Sequence, residues 1–452
     1  MAKRQLKTLF SKGYNRPAPF KEVKVDEYQQ ECITTSENHV LVVAGAGSGK
    51  TTVITERVKY LLINGVQPQN IVAITFTNLA AEEMKERLRN VQGIGDTFIG
   101  TIHSFANRIM KNSGEKYKLL TSDVETEYFK VLIKKWCKFL TFDRFLEYQD
   151  LSALVEVGRA SEKSLESFLS PSEGTELRLL TRPESAIEED DDYPETIEKL
   201  CKRDNVITFD ELIERAEAYF RSIGASVEHL LVDEFQDIGT HEYNFIKGLN
   251  AENNFFVGDD YQSIYGFKGG NVCFFLQCME DENFTSYILN NNYRNATAIL
   301  ELADKVISQV GNKINKEINQ MSAEKGKVEI YTKWQLKKII FMLSQEGSYK
   351  DWFILTRTNK ELFEIAQLCE EYAVPHVTFR REGLSLVDLR GKLNSNKVKI
   401  LTVHTSKGLE SKNVILYGNF PVQCPYYLKK DEERKVMYVG ITRAKENLIL
   451  LN

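Results

Sequence analysis

One nine-residue stretch, residues 44–52, constrains the fold of this chain more than any other part of the sequence. Its sequence is AGAGSGKTT, it follows the apolar run 39–43, and it precedes the helical pattern 53–62. Small residues let backbone N–H groups approach a phosphate closely, and the N-terminus of the following helix adds a favourable dipole. The stretch therefore predicts a phosphate-binding loop between a buried strand and a helix, with alanine in place of the first glycine.

The residue types of this loop predict separate roles. Lys50 is expected to reach the β- and γ-phosphates of a nucleotide, and the Thr51 hydroxyl is expected to hold Mg²⁺. The residues predicted to contact the nucleotide from this loop are Ala44, Gly45, Ala46, Gly47, Ser48, Gly49, Lys50, Thr51 and Thr52.

Short β-branched and aromatic runs alternate with longer helical patterns along the chain, which predicts a parallel α/β architecture. Six runs form a first set, enough for one sheet: 39–43, 71–76, 98–102, 229–233, 255–257 and 287–289. Six more are enough for a second sheet of the same kind: 328–331, 352–355, 376–379, 398–402, 413–417 and 448–451. Residues 107–205 are helical in pattern, for example 125–139, and contain the acidic run 188–192. We interpret them as an inserted helical subdomain.

Two adjacent carboxylates, Asp233 and Glu234, follow the apolar run 229–232. Open α/β sheets bind ligands at the carboxyl ends of their strands. Asp233 is suited to hold Mg²⁺, directly or through water, and Glu234 is suited to orient and polarise an attacking water. Alone this pair is weak evidence, but together with the phosphate loop it predicts a nucleotide-hydrolysing site.

The net charge and the spacing of the cysteines further narrow the class of protein. The formal net charge is −5, whereas a protein that binds nucleic acid over a general positive surface is usually basic, so any nucleic acid must lie in a local groove. The basic N-terminal residues 1–24 are interpreted as a solvated tail, with contact to DNA or a partner as the alternative. The seven cysteines form no C-x-x-C pair, which favours reduced thiols. No apolar run is long enough to span a membrane, so a cytoplasmic location is expected.

Eight ordered segments resemble the motifs of superfamily 1 DNA helicases related to UvrD, Rep and PcrA. Besides the phosphate loop they are TFTNLAAEEM (75–84), GTIHSF (100–105), DEFQD (233–237), VGDDYQSIYGFKG (257–269), NYR (292–294), TVHTSKGLE (402–410) and YVGITRA (438–444). The resemblance extends from about residue 25 to the C-terminus. It implies an ATP-dependent, Mg²⁺-using translocase or helicase that moves 3′→5′ on single-stranded DNA and meets junctions of single- and double-stranded DNA.

The resemblance also implies a domain plan of two RecA-like parallel-sheet P-loop NTPase domains, the first with an inserted helical subdomain. The expected ranges are a tail (1–24), the first domain (25–106 and 206–285), the insertion (107–205) and the second domain (286–452).

By the same resemblance, several residues outside the phosphate loop acquire expected roles at the nucleotide. Gln29 would contact the adenine edge and Tyr293 would stack on adenine. Glu410 would bind the ribose. Gln262 would sense the γ-phosphate and link the ATP state to the grip on DNA.

Arg294 and Arg443 resemble two arginine fingers. Both are expected in the second set of strands, so that they would cross a cleft to reach ATP bound on the first set. An arginine finger can contribute about 10³–10⁵ in rate, and it would act only when the two sheets close together.

The DNA strand is expected across the top of both sheets. The candidates for base stacking are Phe76, Tyr265 and Phe267, and the candidates for backbone contacts are Thr77, Asn78, His103, Lys268, Thr402 and His404. Phe267 stands where the family usually has Trp, and Lys268 where it usually has Arg. These changes reduce stacking area and fork-like hydrogen bonding but keep the type of chemistry.

The sequence between Arg294 and Thr402 has room for the second sheet and little else. The large helical subdomain that the family inserts there is expected to be missing, which predicts a competent single-strand motor that is a poor helicase alone and relies on a protein partner for duplex engagement. A second interpretation stays open: an ATP-switched DNA-sensing subunit of a larger complex, for example a nuclease-partnered phage-defence helicase. The sequence does not distinguish repair, replication, plasmid or phage biology, or defence.

Overall fold

The computed structural model describes residues 24–91, 93–121, 123–125, 127–128, 197–266, 269–379, 386–418, 420 and 430–452. Within the described part of the chain, contacts group into two compact units, one combining Met1–Phe105 with Phe220–Asn452 and the other formed by Ala106–Tyr219. The expected tail (apart from Lys24), most of the expected helix 125–139, the acidic run 188–192, Phe267 and Lys268 lie outside the described residues.

The described strands are β1 (His39–Ala44), β2 (Ile71–Thr75), β3 (Phe98–Thr101), β4 (Lys118–Leu119), β5 (Val206–Ile207), β6 (His229–Val232), β7 (Asn253–Gly258), β8 (Thr285–Leu289), β9 (Asn291–Asn292), β10 (Asn319–Gln320), β11 (Lys327–Tyr331), β12 (Trp352–Thr356), β13 (His376–Thr378), β14 (Val398–Thr402), β15 (Ser411–Tyr417) and β16 (Ala444–Leu451). The described helices are α1 (Glu27–Thr34), α2 (Lys50–Ile63), α3 (Asn78–Leu88), α4 (Ile102–Ser113), α5 (Ile197–Asp204), α6 (Phe209–Ser222), α7 (Thr240–Gly248), α8 (Val272–Glu280), α9 (Thr297–Ile307), α10 (Leu336–Ser344), α11 (Asn359–Glu371), α12 (Leu386–Asn394) and α13 (Lys430–Ile441).

The first sheet has the strand order β3-β2-β6-β7-β1-β8, and every neighbouring pair is parallel. Its central strands are continuous apolar runs buried on both faces, as parallel sheets covered by helices require. All six runs of the first predicted set are present in this sheet. The first domain was expected to end at residue 285 and the second to begin at residue 286. β8 pairs with β1, so the residues of β8 belong to the first sheet and the domain boundary lies after them.

The second sheet has the order β11-β16-β15-β12-β14-β13 and is also parallel throughout. It contains all six runs of the second predicted set. The predicted fold class, a parallel α/β protein with two sheets of the same kind, is confirmed.

One apolar core joins the two sheets. Tyr261 and Ile264, which follow β7 of the first sheet, pack in the same cluster as Ile299 of α9 and Val403, which follows β14. Tyr438 of α13 meets the Tyr261 ring edge-on at 5.6 Å. Burying each such side chain contributes roughly 1.5–3 kcal/mol, so the turn after β7 is fixed by apolar packing against the second sheet.

The unit Ala106–Tyr219 contains a short parallel pair of strands, β4 and β5, and a small core that includes Tyr128, Leu200, Cys201 and Val206. The predicted limits 107–205 place β5 in the first domain, whereas its only described strand partner, β4, lies in the same unit as β5. Residues 206–219 therefore belong with the insertion.

None of the helices among the described residues combines the length and the apolar character that a bilayer crossing needs.

Gly326, immediately before β11, should tolerate no side chain. Its φ is +67°, and an added Cβ would lie 2.4 Å from the Ala296 Cβ and 2.5 Å from the Glu446 carbonyl oxygen. Gly65 has the same left-handed backbone, φ +89°, with nothing within 4 Å of an added Cβ. We expect Gly65→Ala to cost about 1–2 kcal/mol from backbone strain alone, and Gly326→Ala to cost roughly 1–3 kcal/mol more from overpacking. Urea unfolding of both variants measures the difference, and equal losses would contradict the packing described here.

Candidate nucleotide and DNA site

The loop between β1 and α2 depends on two glycines with left-handed backbone. Gly47 has φ +69° and Gly49 has φ +86°, and Gly49 is the residue at the N-terminus of α2. An added Cβ on Gly49 would lie 2.6 Å from the Gln29 Nε2 atom, so both the backbone angle and the space require glycine. Lys50 and Thr51 form the first turn of α2, where free N–H groups and the helix dipole favour an anion.

Lys50 and the two predicted carboxylates lie together. Asp233 follows β6 and is buried, and its backbone N–H donates to the Ile74 carbonyl at 2.8 Å. Glu234 has φ +53°, and one of its carboxylate oxygens lies 3.6 Å from the Lys50 Nζ atom. Among the residues that the structure describes, the buried Lys50 ammonium has no hydrogen-bond acceptor. A buried cation of this kind beside a phosphate-type loop fits a bound anion.

Burial and neighbouring charges shift the pKa values of Asp233 and Glu234 in opposite directions. Burial and the adjacent Glu234 raise the pKa of Asp233 to about 7. Burial opposes ionisation of Glu234 as well, but Lys50 and Lys407 outweigh it and hold the pKa of Glu234 well below its ordinary value. Glu234 is therefore anionic at neutral pH, the state that a base or a water-orienting group needs.

The structure places the two predicted adenine-contacting residues beside the loop. Gln29 is buried in α1, and its side-chain amide donates to the Ser48 carbonyl at 2.9 Å. The Tyr293 N–H donates to the Gly47 carbonyl at 3.0 Å, and the Tyr293 ring is 46% exposed, with its hydroxyl bonded to the Asp26 carboxylate. An aromatic face is thus accessible next to the phosphate loop.

The two predicted arginine fingers approach from different directions. Arg294 was predicted in the second set of strands. The structure instead places it after β9, in the connection from the first sheet to α9. Its Nε atom lies 2.5 Å from a Glu410 carboxylate oxygen, and Lys445 contacts the other oxygen of Glu410.

Arg443 does come from the second sheet, immediately before β16, and is 1% exposed. It donates to the Gln262 side-chain oxygen at 3.0 Å and to the Leu409 carbonyl at 3.1 Å. Burial and the neighbouring Arg294 lower the pKa of Arg443 to about 9, which still leaves it charged at neutral pH.

Gln262 is the side chain through which the two sheets make this polar contact. Its amide nitrogen donates to Asp259 at 2.6 Å while its oxygen accepts from Arg443. Gln262 lies in the turn that follows β7, on the first sheet. A residue predicted to sense the γ-phosphate is therefore hydrogen-bonded to a predicted finger.

Two lysines at this site were missed by the sequence analysis. Lys407 forms ion pairs with Asp237 and, at 3.4 Å, with Glu234, and its ammonium donates to the Gln262 carbonyl. Lys407 lies inside the motif segment 402–410, but its charge alone did not predict that it would pair with Asp237 and Glu234.

Lys316 is the second missed residue. It is buried 2.6 Å from Asp259 and 2.7 Å from Asp260, and it donates to the Ala44 carbonyl at 3.0 Å. Its ammonium also lies 3.9 Å from the centre of the Tyr261 ring. The segment around Lys316 carries no motif, so only the folded chain reveals this contact.

The predicted DNA-contacting residues fall into two groups. Phe76 is half-buried and stacks on Tyr265 at 5.0 Å, whereas Tyr265 is 1% exposed and donates its hydroxyl to the His404 carbonyl. Tyr265 therefore does not offer its ring to a base in this structure, contrary to the prediction, because Phe76 covers it. The remaining described candidates lie at exposed or partly exposed ends of strands and helices, except that Thr402 is largely buried: Thr77, Asn78, His103, Thr402 and His404.

Two parallel sheets that share an apolar core, the first with a phosphate-type loop between β1 and α2, are the architecture of a P-loop protein with two RecA-like domains. Residues 19–283 match the UvrD/REP helicase N-terminal domain, and residues 379–452 match the UvrD-like helicase C-terminal domain. The chain belongs to the UvrD/REP helicase family.

Relatives with curated names cover the chain to different extents. A probable DNA helicase of Mycoplasma pneumoniae is 31% identical over 94% of this chain and 82% of its own length. The ATP-dependent DNA helicase PcrA of Bacillus subtilis is 30% identical over 67% of this chain, and DNA helicase II of Escherichia coli is 26% identical over 72%. The chain spans 42% and 46% of the length of these two relatives.

Replacing Lys316 by methionine should destabilise the protein strongly. The change leaves Asp259 and Asp260 buried beside each other without their cation, a situation that costs about 3–5 kcal/mol. The matched control is Lys327→Met, which removes an exposed ion pair with Glu329 and should cost less than about 1 kcal/mol. Urea unfolding monitored by circular dichroism measures both, and similar losses for the two variants would refute a buried charge cluster at Lys316.

Proposed function

We propose that this protein is an ATP-dependent single-stranded DNA translocase and helicase that moves 3′→5′ and hydrolyses ATP between its two RecA-like domains. The observation that carries the proposal is the cluster in which Lys50 and Glu234 of the first sheet meet Lys407, and Gln262 meets Arg443. Groups from both sheets thereby surround one anion-binding loop. The named relatives, which are DNA helicases, support the same activity.

In this proposal the loop residues 44–52 and Lys50 bind the phosphates of ATP. The Thr51 hydroxyl and the Asp233 carboxylate are the hard oxygen donors that Mg²⁺ prefers, and two protein ligands suffice because Mg²⁺ usually keeps waters and phosphate oxygens. When bound, the cation would neutralise charge on the phosphates. A nearby cation also favours the ionised form of Asp233, whose pKa is raised in its absence.

Glu234 orients and polarises the attacking water, since the lysines around it keep it anionic. Arg443 and Arg294 stabilise the charge that develops on the transferred phosphoryl group. Arg443 already lies at Gln262, whereas Arg294 must exchange its Glu410 partner for phosphate. Glu410 binds the ribose, and Gln29 and Tyr293 bind adenine.

DNA binding is proposed at the carboxyl ends of both sheets. Phe76 has the accessible ring for stacking, a contact that is independent of base sequence. Thr77, Asn78, His103, Thr402 and His404, together with Phe267 and Lys268, are proposed to hold the strand. Tyr265 supports Phe76 from below and bonds to His404, so the stacking surface connects the first sheet to the second.

The domain plan is kept as a proposal with two changes, namely that the first domain extends to Leu289 and the insertion to Tyr219.

Between Arg294 and Thr402, the described helices and strands are α9 to α12 and β10 to β14, which leave little room for a second insertion. We therefore keep the hypothesis of a single-strand motor that separates duplex DNA poorly alone, with single-stranded DNA, strand junctions and a protein partner as its contacts. A cytoplasmic location belongs to the same proposal. The alternative, an ATP-switched sensor beside a nuclease, gains no support from relatives named as DNA helicases.

Glu234→Gln should abolish most ATP hydrolysis while the protein still binds ATP. The amide keeps the shape of the side chain but lacks the negative charge that orients and polarises the water, and loss of such a group typically costs about 10²–10⁴ in kcat. ATPase rates with and without single-stranded DNA measure the effect. Glu252→Gln, an exposed change immediately before β7 of the first sheet, should behave as wild type. Absence of DNA-stimulated hydrolysis in the wild type would overturn the motor proposal.

Translocation polarity can be measured on oligonucleotides that carry streptavidin at one end. A 3′→5′ motor moves towards the 5′ end, so the wild type should displace streptavidin from 5′-biotin and leave 3′-biotin occupied, and Glu234→Gln should displace neither.

On a 3′-tailed duplex the same wild-type preparation should release little single strand. Displacement from the 3′ end would contradict the polarity, and efficient unwinding by the purified monomer would contradict the need for a partner.

A further inference from the structure

Two buried asparagines, Asn292 and Asn295, connect the phosphate loop to the segment that carries Arg443. Their exposed fractions are 1% and 0%. The Asn292 amide nitrogen donates to the Ala46 carbonyl in the loop at 2.6 Å and to the Asn295 side-chain oxygen at 3.0 Å. Both amide hydrogens of Asn292 are thus used, one on the loop and one on the second asparagine.

Asn295 continues the connection to the second sheet. Its amide nitrogen donates to the Thr442 carbonyl at 3.0 Å and to the Ala444 carbonyl at 2.6 Å. These two carbonyls flank Arg443 in sequence. Both hydrogens of the Asn295 amide therefore hold the backbone on either side of the proposed finger.

The other proposed finger is attached to the same pair. The Asn292 side-chain oxygen accepts the Arg294 N–H at 3.0 Å and the Asn295 N–H at 2.9 Å. The loop also packs directly on this segment, because an added Cβ on Gly47 would lie 2.6 Å from the Arg294 Cβ and 3.0 Å from the Asn292 amide nitrogen. Loop, Arg294 and Arg443 thus share one buried set of hydrogen bonds.

We infer that Asn292 and Asn295 are positioning residues that fix Arg443 and Arg294 relative to the phosphate loop. The inference deepens the proposed function and rests on it, since it assigns the pair to the hydrolysis step. Neither side chain is expected to touch ATP. A buried asparagine whose two hydrogens both bond to backbone carbonyls defines a direction more strictly than an apolar side chain can. A displacement of the finger by about 1 Å is enough to slow a reaction by about 10²-fold.

The test is the steady-state ATPase of Asn295→Ala with single-stranded DNA present. We expect kcat to fall about 10–100-fold with a nearly unchanged KM for ATP, because the loop keeps its own contacts. Asn295→Ser, which retains one hydrogen for one of the two carbonyls, should recover part of kcat. The matched control is Asn447→Ala, which removes the hydrogen bond from the Asn447 side-chain amide in β16 to Asn413 in β15 and should leave both constants unchanged.

A double-mutant cycle separates positioning from general destabilisation. In an Arg443→Ala background, Asn295→Ala should cause a much smaller loss than in the wild type, since Arg443 is gone and only the indirect contact through Asn292 to Arg294 remains. Multiplied losses, an increase in KM alone, or unchanged kcat in a folded Asn295→Ala protein would each overturn the inference while the motor proposal stands. Thermal melting establishes folding, and if Asn295→Ala does not fold, the kcat of Asn295→Ser decides by the same criteria. A wild type without DNA-stimulated hydrolysis would overturn the proposed function and the inference with it.

Discussion

The pairing of buried charges between the two sheets is the interaction on which the rest of the structure depends. Lys407 from the second sheet neutralises Asp237 and Glu234 of the first, and Arg443 bonds to Gln262. A charge removed from water is tolerated only when it is paired, so these contacts fix where the second sheet can lie. The shared apolar core around Tyr261 also adds stability. It fixes the placement of the second sheet less strictly, because apolar packing is not directional.

The same pairing bears on how the proposed nucleotide would change the protein. In the proposed mechanism, ATP brings negative charge to Lys50, which has no hydrogen-bond acceptor among the described residues, and to Arg294, which is paired with Glu410. Phosphate oxygens would compete for these cations, so the Arg294–Glu410 pair would be exchanged for a contact to phosphate. A ligand shifts a conformational equilibrium only by its difference in affinity for the two states. Exchange of partners at the cleft supplies such a difference.

Much of the fold could be predicted because the strands are long apolar runs with helices between them. The twelve predicted runs all lie in strands of the two sheets, and the phosphate loop was identified from its own residues. The errors arose where pairing between distant segments decides the outcome. Arg294 follows β9 instead of lying in the second set of strands, Tyr265 is buried in the shared core with Phe76 stacked on it, and Lys316 meets Asp259 from a segment without a motif. Local patterns contain no information on such neighbours.

The strand order of the first sheet has a consequence for synthesis on the ribosome. Ile71 of β2 pairs with His229 of β6, and Val40 of β1 pairs with Thr285 of β8, so the whole insertion is made before the sheet has its central strands. At about 5–20 residues per second, β2 waits roughly 10–30 s for β6. During that time its edge is unpaired and apolar, which is the condition for misassociation. The nascent chain is therefore exposed to aggregation for longer than a protein whose strands pair in sequence order.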